Sequence, residues 1–423
     1  MYHLLKNGSN IQALVEITEK KIAPIHAKIA QIADSNQFRV LKSFQEHQVS
    51  DFHFTPSTGY GYDDSGRDTL ESIFAEVFGG EAGLVRPQII SGTHAISTAL
   101  FGVLRPGDTL LYITGKPYDT LEEIVGIRGN GIGSLKDFQI AYKSVPLTAQ
   151  GRVDFSAVKQ AINPKVKMVG IQRSKGYDSR PSFTIDEIAE MVQFVKEIDP
   201  NIVVFVDNCY GEFAEEQEPC HVGADLMAGS LIKNPGGGLV KTGGYIVGKQ
   251  ALVEACACRL TSPGIGSEAG ATLYSLLEMY QGFFLAPHVV AEALKGAVFT
   301  AALLEELNMK TTPSWDAKRT DLIQSVQFND PDVMIAFCQA IQYASPINSH
   351  VTPYPSEMPG YEDHVIMAAG TFIQGASIEL SADGPIRPPY DAYVQGGLTY
   401  SHVKIAVCSA IDHLIEKGLL IIK

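Results

Sequence analysis

The sequence predicts an α/β protein built on a mainly parallel sheet, followed by a smaller α+β portion. Two observations carry this reading. Short β-branched runs alternate with helical segments from about residue 85 onward, the pattern of consecutive βα units. The run IVVFV at 202–206 is continuously apolar rather than alternating, as in strands buried on both faces of a parallel sheet.

Residues 1 to about 50 have polar, helical spacing with one break at Pro24, and read as an N-terminal helical arm. GYGYDDSGRD (59–68) is a turn-rich loop ahead of the helix TLESIFAEVFG. The strands VRPQII, TLLYIT, FQIAYKSV, VKMVGI and IVVFVD follow, with helices at THAISTALFGVL and IDEIAEMVQFVKEI. After the glycine-rich stretch GSLIKNPGGGLVKTGG (229–244) come the strand GYIVG and a long helical run that Pro287 is expected to kink or restart. The remainder mixes strands (LIQSVQF, ASIEL) with helices (DVMIAFCQAIQ, HVKIAVCSAIDHLIEKG). The expected division is a helical arm at 1–55, a large α/β domain at 56–288 and a small C-terminal α+β domain at 289–423.

Composition narrows the function classes. The 423 residues include 33 basic and 47 acidic side chains, a formal charge of −14 that would repel nucleic acid and anionic membranes. Six cysteines are scattered without CxxC spacing; Cys256 and Cys258 form a CxC pair with no second pair, so no metal site is expected. The N-terminus lacks a signal-peptide apolar core, and no uninterrupted apolar run approaches the roughly 20 residues of a membrane span. The expectation is a soluble, cytoplasmic protein.

The chemistry gathers at predicted strand ends, where open α/β sheets bind ligands. Asp207 ends IVVFVD; alone, such an aspartate also serves to cap the next turn. Lys233 follows 26 residues later, ahead of three glycines. A carboxylate and a fixed lysine are what pyridoxal phosphate requires: the carboxylate keeps the pyridine nitrogen protonated, and the lysine holds the aldehyde as a Schiff base. Ser230 is placed to meet the phosphate, and the glycines let the backbone pass close to the cofactor. SGTHA (91–95) reads as a strand-to-helix turn whose Gly92 and Thr93 N–H groups face an anion, or as an ordinary N-cap by Ser91 or Thr93.

A cofactor ring also needs a flat cover. Tyr118, in GKPYDT after TLLYIT, is favoured over His94 of the SGTHA turn, and Tyr118 also qualifies for proton transfer. Arginine forks suit a phosphate or a carboxylate: Arg67 lies with Tyr60 and Tyr62 in GYGYDDSGRD, and Arg387 lies between prolines in GPIRPPY. QRSKGYDSRPS (172–182) adds Gln172, Arg173, Ser174 and Tyr177 as candidate substrate contacts. A nucleotide P-loop is disfavoured, because GxxxxGK[ST] is absent and Lys241 follows Val240 rather than glycine.

Together GYGYDDSGRDTLE, SGTHAI, GKPYDTLEE, QRSKGY, VDNCYGEF, GSLIKNPGGG and GPIRPPYDAYVQGGLTY resemble a known family. It comprises the pyridoxal-phosphate enzymes of aspartate-aminotransferase-like fold, within them the bacterial aluminium-resistance or methionine gamma-lyase-like proteins related to cystathionine beta-lyase. The resemblance implies Lys233 as the Schiff-base lysine, Asp207 as the pyridinium partner, and Gly92, Thr93 and Ser230 at the phosphate. It also implies that Tyr60, Tyr62 and Arg67 close the phosphate site of a neighbouring subunit, so that the active unit is a homodimer or homotetramer. The implied activity is carbon–sulfur lysis of a sulfur amino acid, releasing a thiol, ammonia and a 2-oxo acid. An aminotransferase, another reaction of the same cofactor, or a non-catalytic pyridoxal-phosphate binder are the alternatives.

Overall fold

The computed structural model describes residues 2–421. Helices α1 (Gly8–Glu46) and α2 (Ser65–Phe78) lead into strand β1 (Ala82–Arg86) and helix α3 (Gly92–Val103). The chain continues through β2 (Thr109–Tyr112), α4 (Glu122–Val125), β3 (Ala141–Ser144), α5 (Phe155–Ala161), β4 (Val166–Gln172), α6 (Ile185–Ile198) and β5 (Val203–Asp207). Strands β6 (Leu226–Ser230) and β7 (Gly244–Gly248) complete a seven-stranded sheet ordered β1, β7, β6, β5, β4, β2, β3, in which only β7 runs against the others. Helices α7 (Gln250–Leu260) and α8 (Leu276–Glu306) follow. Strands β8 (Lys310–Thr312) and β9 (Gln324–Gln327), helix α9 (Pro331–Tyr343), strands β10 (Val365–Ala368), β11 (Ser381–Pro385) and β12 (Asp391–Gln395), and helix α10 (Tyr400–Glu416) form the C-terminal part. Its five strands make a wholly antiparallel sheet ordered β10, β11, β12, β9, β8.

Adjacent strand residues point to opposite faces of the large sheet, and both faces are covered. Leu84, Phe205 and Ile246 join Ala99 of α3 and Cys256 of α7 in one apolar layer. Val85, Val204 and Val247 join Phe74 of α2, Ile188 of α6 and Phe283 of α8 in the other. This double burial is what selects continuous apolar runs over alternating ones.

Five sequence expectations shift. α1 runs unbroken through Pro24, because Ile11, Val15, Ile22, Ile29 and Val40 bury one long face that packs on α8. That packing outweighs the roughly 3 kcal/mol cost of an internal proline. α8 likewise continues through Pro287, so the expected boundary at 288/289 falls inside one helix that joins both halves. α8 is also long and apolar enough to cross a membrane by length and composition, yet 72% of its most apolar window is buried inside the protein, which makes it a core helix. The first strand ends at Arg86 rather than continuing through VRPQII, since Pro87 has no N–H for the ladder, and ASIEL precedes β11 rather than forming a strand. All six cysteines are unpaired.

Candidate active site

The strand register places the site. Gln172 pairs with Asp207, and Asp207 with Ala228, so the carboxyl ends of β4, β5 and β6 finish along one edge of the sheet. A cavity of about 300 Å³ lies beyond that edge, within the range of small-molecule sites. Asp207 sits on its floor, 6% exposed, accepting a hydrogen bond from the Cys209 N–H at 3.2 Å. Burial pushes the Asp207 carboxyl above the usual range, while that bond and the charge of Lys233 pull it back.

Lys233 follows β6 and enters the same cavity. Its Nζ lies 3.7 Å from the centre of the Tyr210 ring, and among the described residues it makes no hydrogen bond or ion pair. Tyr210 itself adopts φ of 70°, a left-handed backbone that is costly for an aromatic residue and marks the turn after Asp207 as constrained. A second buried lysine, Lys175, differs in kind. It donates to the Thr312 carbonyl at 3.1 Å and to Ser325 Oγ at 2.8 Å, and it borders a neighbouring polar pocket rather than this cavity.

The amino end of α3 forms the opposite wall. Ser91 caps it, accepting from the His94 N–H at 3.0 Å, and Gly92 and Thr93 border the cavity. A Cβ on Gly92 would sit 3.1 Å from Cys209 Sγ and 3.2 Å from Ser230 Cβ, so glycine leaves a cradle there that any side chain would narrow. Unpaired N–H groups of the first helical turn and the buried Ser230 hydroxyl make this cradle suited to an anion. Tyr118 closes the cavity from the loop after β2, its hydroxyl 2.6 Å from that of Tyr361. His94 is absent from the wall: its Nδ1 instead accepts from the Ile90 N–H at 3.2 Å. Between the two candidates for the flat cover, only Tyr118 is in place.

The model of the methionine gamma-lyase family matches residues 11–415. The chain belongs to that family. Its relative YnbB of Bacillus subtilis is 73% identical over 99% of this chain and 100% of its own length. A carbon-sulfur lyase involved in aluminum resistance from Clostridium novyi is 48% identical, with a TM-score of 0.92 and 96% of each chain covered. The pyridoxal-5'-phosphate dependent protein YhfS from Escherichia coli shares 18% identity, with a TM-score of 0.62 over 90% of this chain and 96% of its own. The fold is thus the aspartate-aminotransferase-like one, and family and fold together imply pyridoxal phosphate as cofactor.

The residues lining the cavity fit that cofactor. The cradle at Gly92 is open, the Lys233 amine is uncommitted, and the buried Gln172 Oε1 has no partner while its Nε2 donates to the Ser174 carbonyl. Gly92→Ala, by filling the cradle, is expected to weaken pyridoxal-phosphate binding about tenfold or more in an absorbance titration, with the unfolding midpoint of the cofactor-free protein little changed.

The arginines chosen from sequence do not reach the cavity. Arg173, fully buried, points away from it into an ionic cluster, bonding Glu215 at 3.2 Å, Glu218 at 3.3 Å and Asn208 Oδ1 at 2.8 Å. Its predicted substrate contact is replaced by a structural one. Arg173→Ala leaves buried Glu218 without an ion pair, while Glu215 keeps Lys318 at 2.7 Å, and is expected to cost about 3–5 kcal/mol in denaturant unfolding. Arg67 is likewise buried: it donates to the Gly61 carbonyl at 2.5 Å and the Gly270 carbonyl at 3.3 Å, and so braces the loop that carries Tyr60 and Tyr62. Those two tyrosines stack on each other at 5.3 Å and are 74% and 55% exposed, away from the cavity of their own chain. Arg387 borders the polar pocket next door, paired with Asp363 at 3.0 Å. Lys241, the second lysine of the glycine-rich stretch, is exposed and paired with Glu278.

Sequence reasoning missed the far wall. Tyr361, Met358 and Gln395 border the cavity from the C-terminal part, and Asp383 lies behind it. Tyr361 sits in PGYEDH, a loop with no pattern to mark it, and Asp383 lies on β11, whose sequence SADGP has no β-branched run to mark a strand.

Proposed function

We propose that the protein is a pyridoxal-phosphate-dependent carbon–sulfur lyase acting on a sulfur-containing amino acid. The observation that carries this reading is the uncommitted Lys233 amine in one cavity with the buried Asp207 carboxyl. Lys233 would hold the cofactor covalently, Asp207 would keep its ring nitrogen protonated, Gly92, Thr93 and Ser230 would hold its phosphate, and Tyr118 would supply the flat cover. When bound, pyridoxal phosphate supplies the electron sink that makes the substrate Cα–H acidic. Lys233 Nζ, in the same cavity, would be the base that takes that proton. The name of the Clostridium novyi relative supports the lyase chemistry. Incubation of the cofactor-loaded protein with cystathionine, cysteine and methionine is expected to release thiol and 2-oxo acid from at least one. No product from any of them would overturn the lyase reading, and formation of a new amino acid from an added 2-oxo acid would replace it with transamination.

The active unit is, on the same reading, at least a homodimer. The exposed pair Tyr60 and Tyr62, held by a buried arginine yet not lining the Lys233 cavity of its own chain, supports a role across a subunit boundary. Tyr62→Ala and Lys233→Ala variants, each inactive alone, are expected to regain activity when co-expressed, since mixed dimers then contain one intact site. Failure to complement, with mixed dimers demonstrated by mass spectrometry, would place Tyr62 outside the shared site.

A further inference from the structure

Four tyrosines border the cavity: Tyr118, Tyr177, Tyr210 and Tyr361. Tyr118 and Tyr361 bond each other, and Tyr210 donates to the Ala376 carbonyl at 2.9 Å. Tyr177 alone bonds a carboxyl, donating to Asp383 Oδ2 at 2.5 Å. Asp383 is fully buried on β11 and forms no ion pair among the described residues. Gln395, itself on the cavity wall, donates its Nε2 to both Asp383 oxygens at 2.9 and 3.1 Å. Among the described residues, the hydroxyl that links this carboxyl to the cavity is that of Tyr177.

We infer that Tyr177 is the catalytic acid that protonates the departing sulfur, with Asp383 behind it as the positioning residue that resupplies the proton. The inference rests on the carbon–sulfur lyase reading. As the carbon–sulfur bond breaks, its electron pair remains on sulfur. The Tyr177 O–H proton moves to sulfur, and the carboxyl proton of Asp383 moves to the Tyr177 oxygen. Asp383 is left as a carboxylate bonded by Gln395 and regains its proton from solvent after the thiol leaves. The short Tyr177–Asp383 contact serves both directions: the phenol donates to the carboxylate, and the carboxylic acid donates to the phenol oxygen.

Burial pushes the Asp383 carboxyl up to about 7, against the bonds from Tyr177 and Gln395 and the charge of Lys233. The other titratable groups facing it are Tyr118, Tyr177, Tyr210, Tyr361 and Cys338. Burial raises every one of these, so all are neutral near pH 7. A carboxyl near 7 gives its proton downhill to an alkyl thiolate, whose thiol titrates at about 8.5. The phenol of Tyr177 alone does not, because burial holds it well above its ordinary value.

The test compares leaving groups in the cofactor-loaded protein. With an S-alkyl amino acid, whose thiolate needs the proton, Tyr177→Phe and Asp383→Asn are each expected to lose kcat by about 100-fold or more. With an S-aryl amino acid whose electron-poor thiolate leaves unaided, the same variants are expected to stay within about threefold of the parent. Equal losses on both substrates, or no loss on either, would overturn the inference; a parent protein that releases thiol from neither would overturn the lyase reading instead. A second readout needs neither turnover nor variants active in catalysis. Infrared difference spectra of the cofactor-free protein between about pH 6 and pH 8 are expected to show loss of a protonated-carboxyl band that Asp383→Asn lacks. Identical difference spectra for parent and Asp383→Asn would remove the proton reservoir and with it the inference.

Discussion

Lys233→Ala is expected to abolish the yellow chromophore of the cofactor-loaded protein and to lower lyase turnover by at least about 10⁴-fold, because one amine serves as both covalent anchor and base at Cα. The fold should not notice. Lys233 Nζ makes no hydrogen bond or ion pair among the described residues and lies over the face of Tyr210. A cation–π contact of this kind is worth about 0.5–2 kcal/mol, so the unfolding free energy of the cofactor-free variant is expected to change by no more than that. A destabilised variant would instead make Lys233 a structural residue.

Asp207→Asn is the second large effect. The substitution keeps shape and hydrogen-bonding reach but removes the negative charge at the cavity floor. An opposite-charge pair at contact distance is worth about 4 kcal/mol at an effective dielectric constant near 20, which corresponds to about a 10³-fold loss in turnover. Stability is expected to hold or rise slightly, since Asp207 is buried without an ion-pair partner and burial already penalises its charge. Turnover and unfolding measured on one preparation separate the two effects. Normal turnover in Asp207→Asn would remove Asp207 from the chemistry.

The legible parts of the molecule share a cause. Asp207, Lys233, Gly92, Thr93, Ser230 and Tyr118 all sit at or just past the ends of strands, where local sequence reports both the strand and the turn that follows. The strand leading to Lys233 was nonetheless not recognised. β6 is LMAGS, poor in β-branched residues, and it carries Gly229 because a Cβ there would lie 2.6 Å from the Tyr245 ring. Its strand character comes from neighbours on both sides, β5 and β7, and not from its own propensity. The arginines failed for a related reason. Whether a guanidinium meets a ligand or a buried glutamate depends on side chains distant in sequence: Arg173 finds Glu215 and Glu218, and Arg67 finds the Gly270 carbonyl. The proline breaks failed because α1 and α8 are held by packing along their length, which no single residue reports.

The central claim is that Lys233 carries the cofactor, and two lysines compete for that role on physical grounds. Lys175 is the rival, since burial lowers its ammonium to about 8 and leaves it more readily deprotonated than an ordinary lysine. Borohydride reduction of the pyridoxal-phosphate-loaded protein, followed by peptide mapping, decides between them. The expected result is a single stable adduct on Lys233, on the peptide that contains GSLIKNPGGG. An adduct on Lys175, or on any lysine outside the cavity at the ends of β4, β5 and β6, would contradict the account.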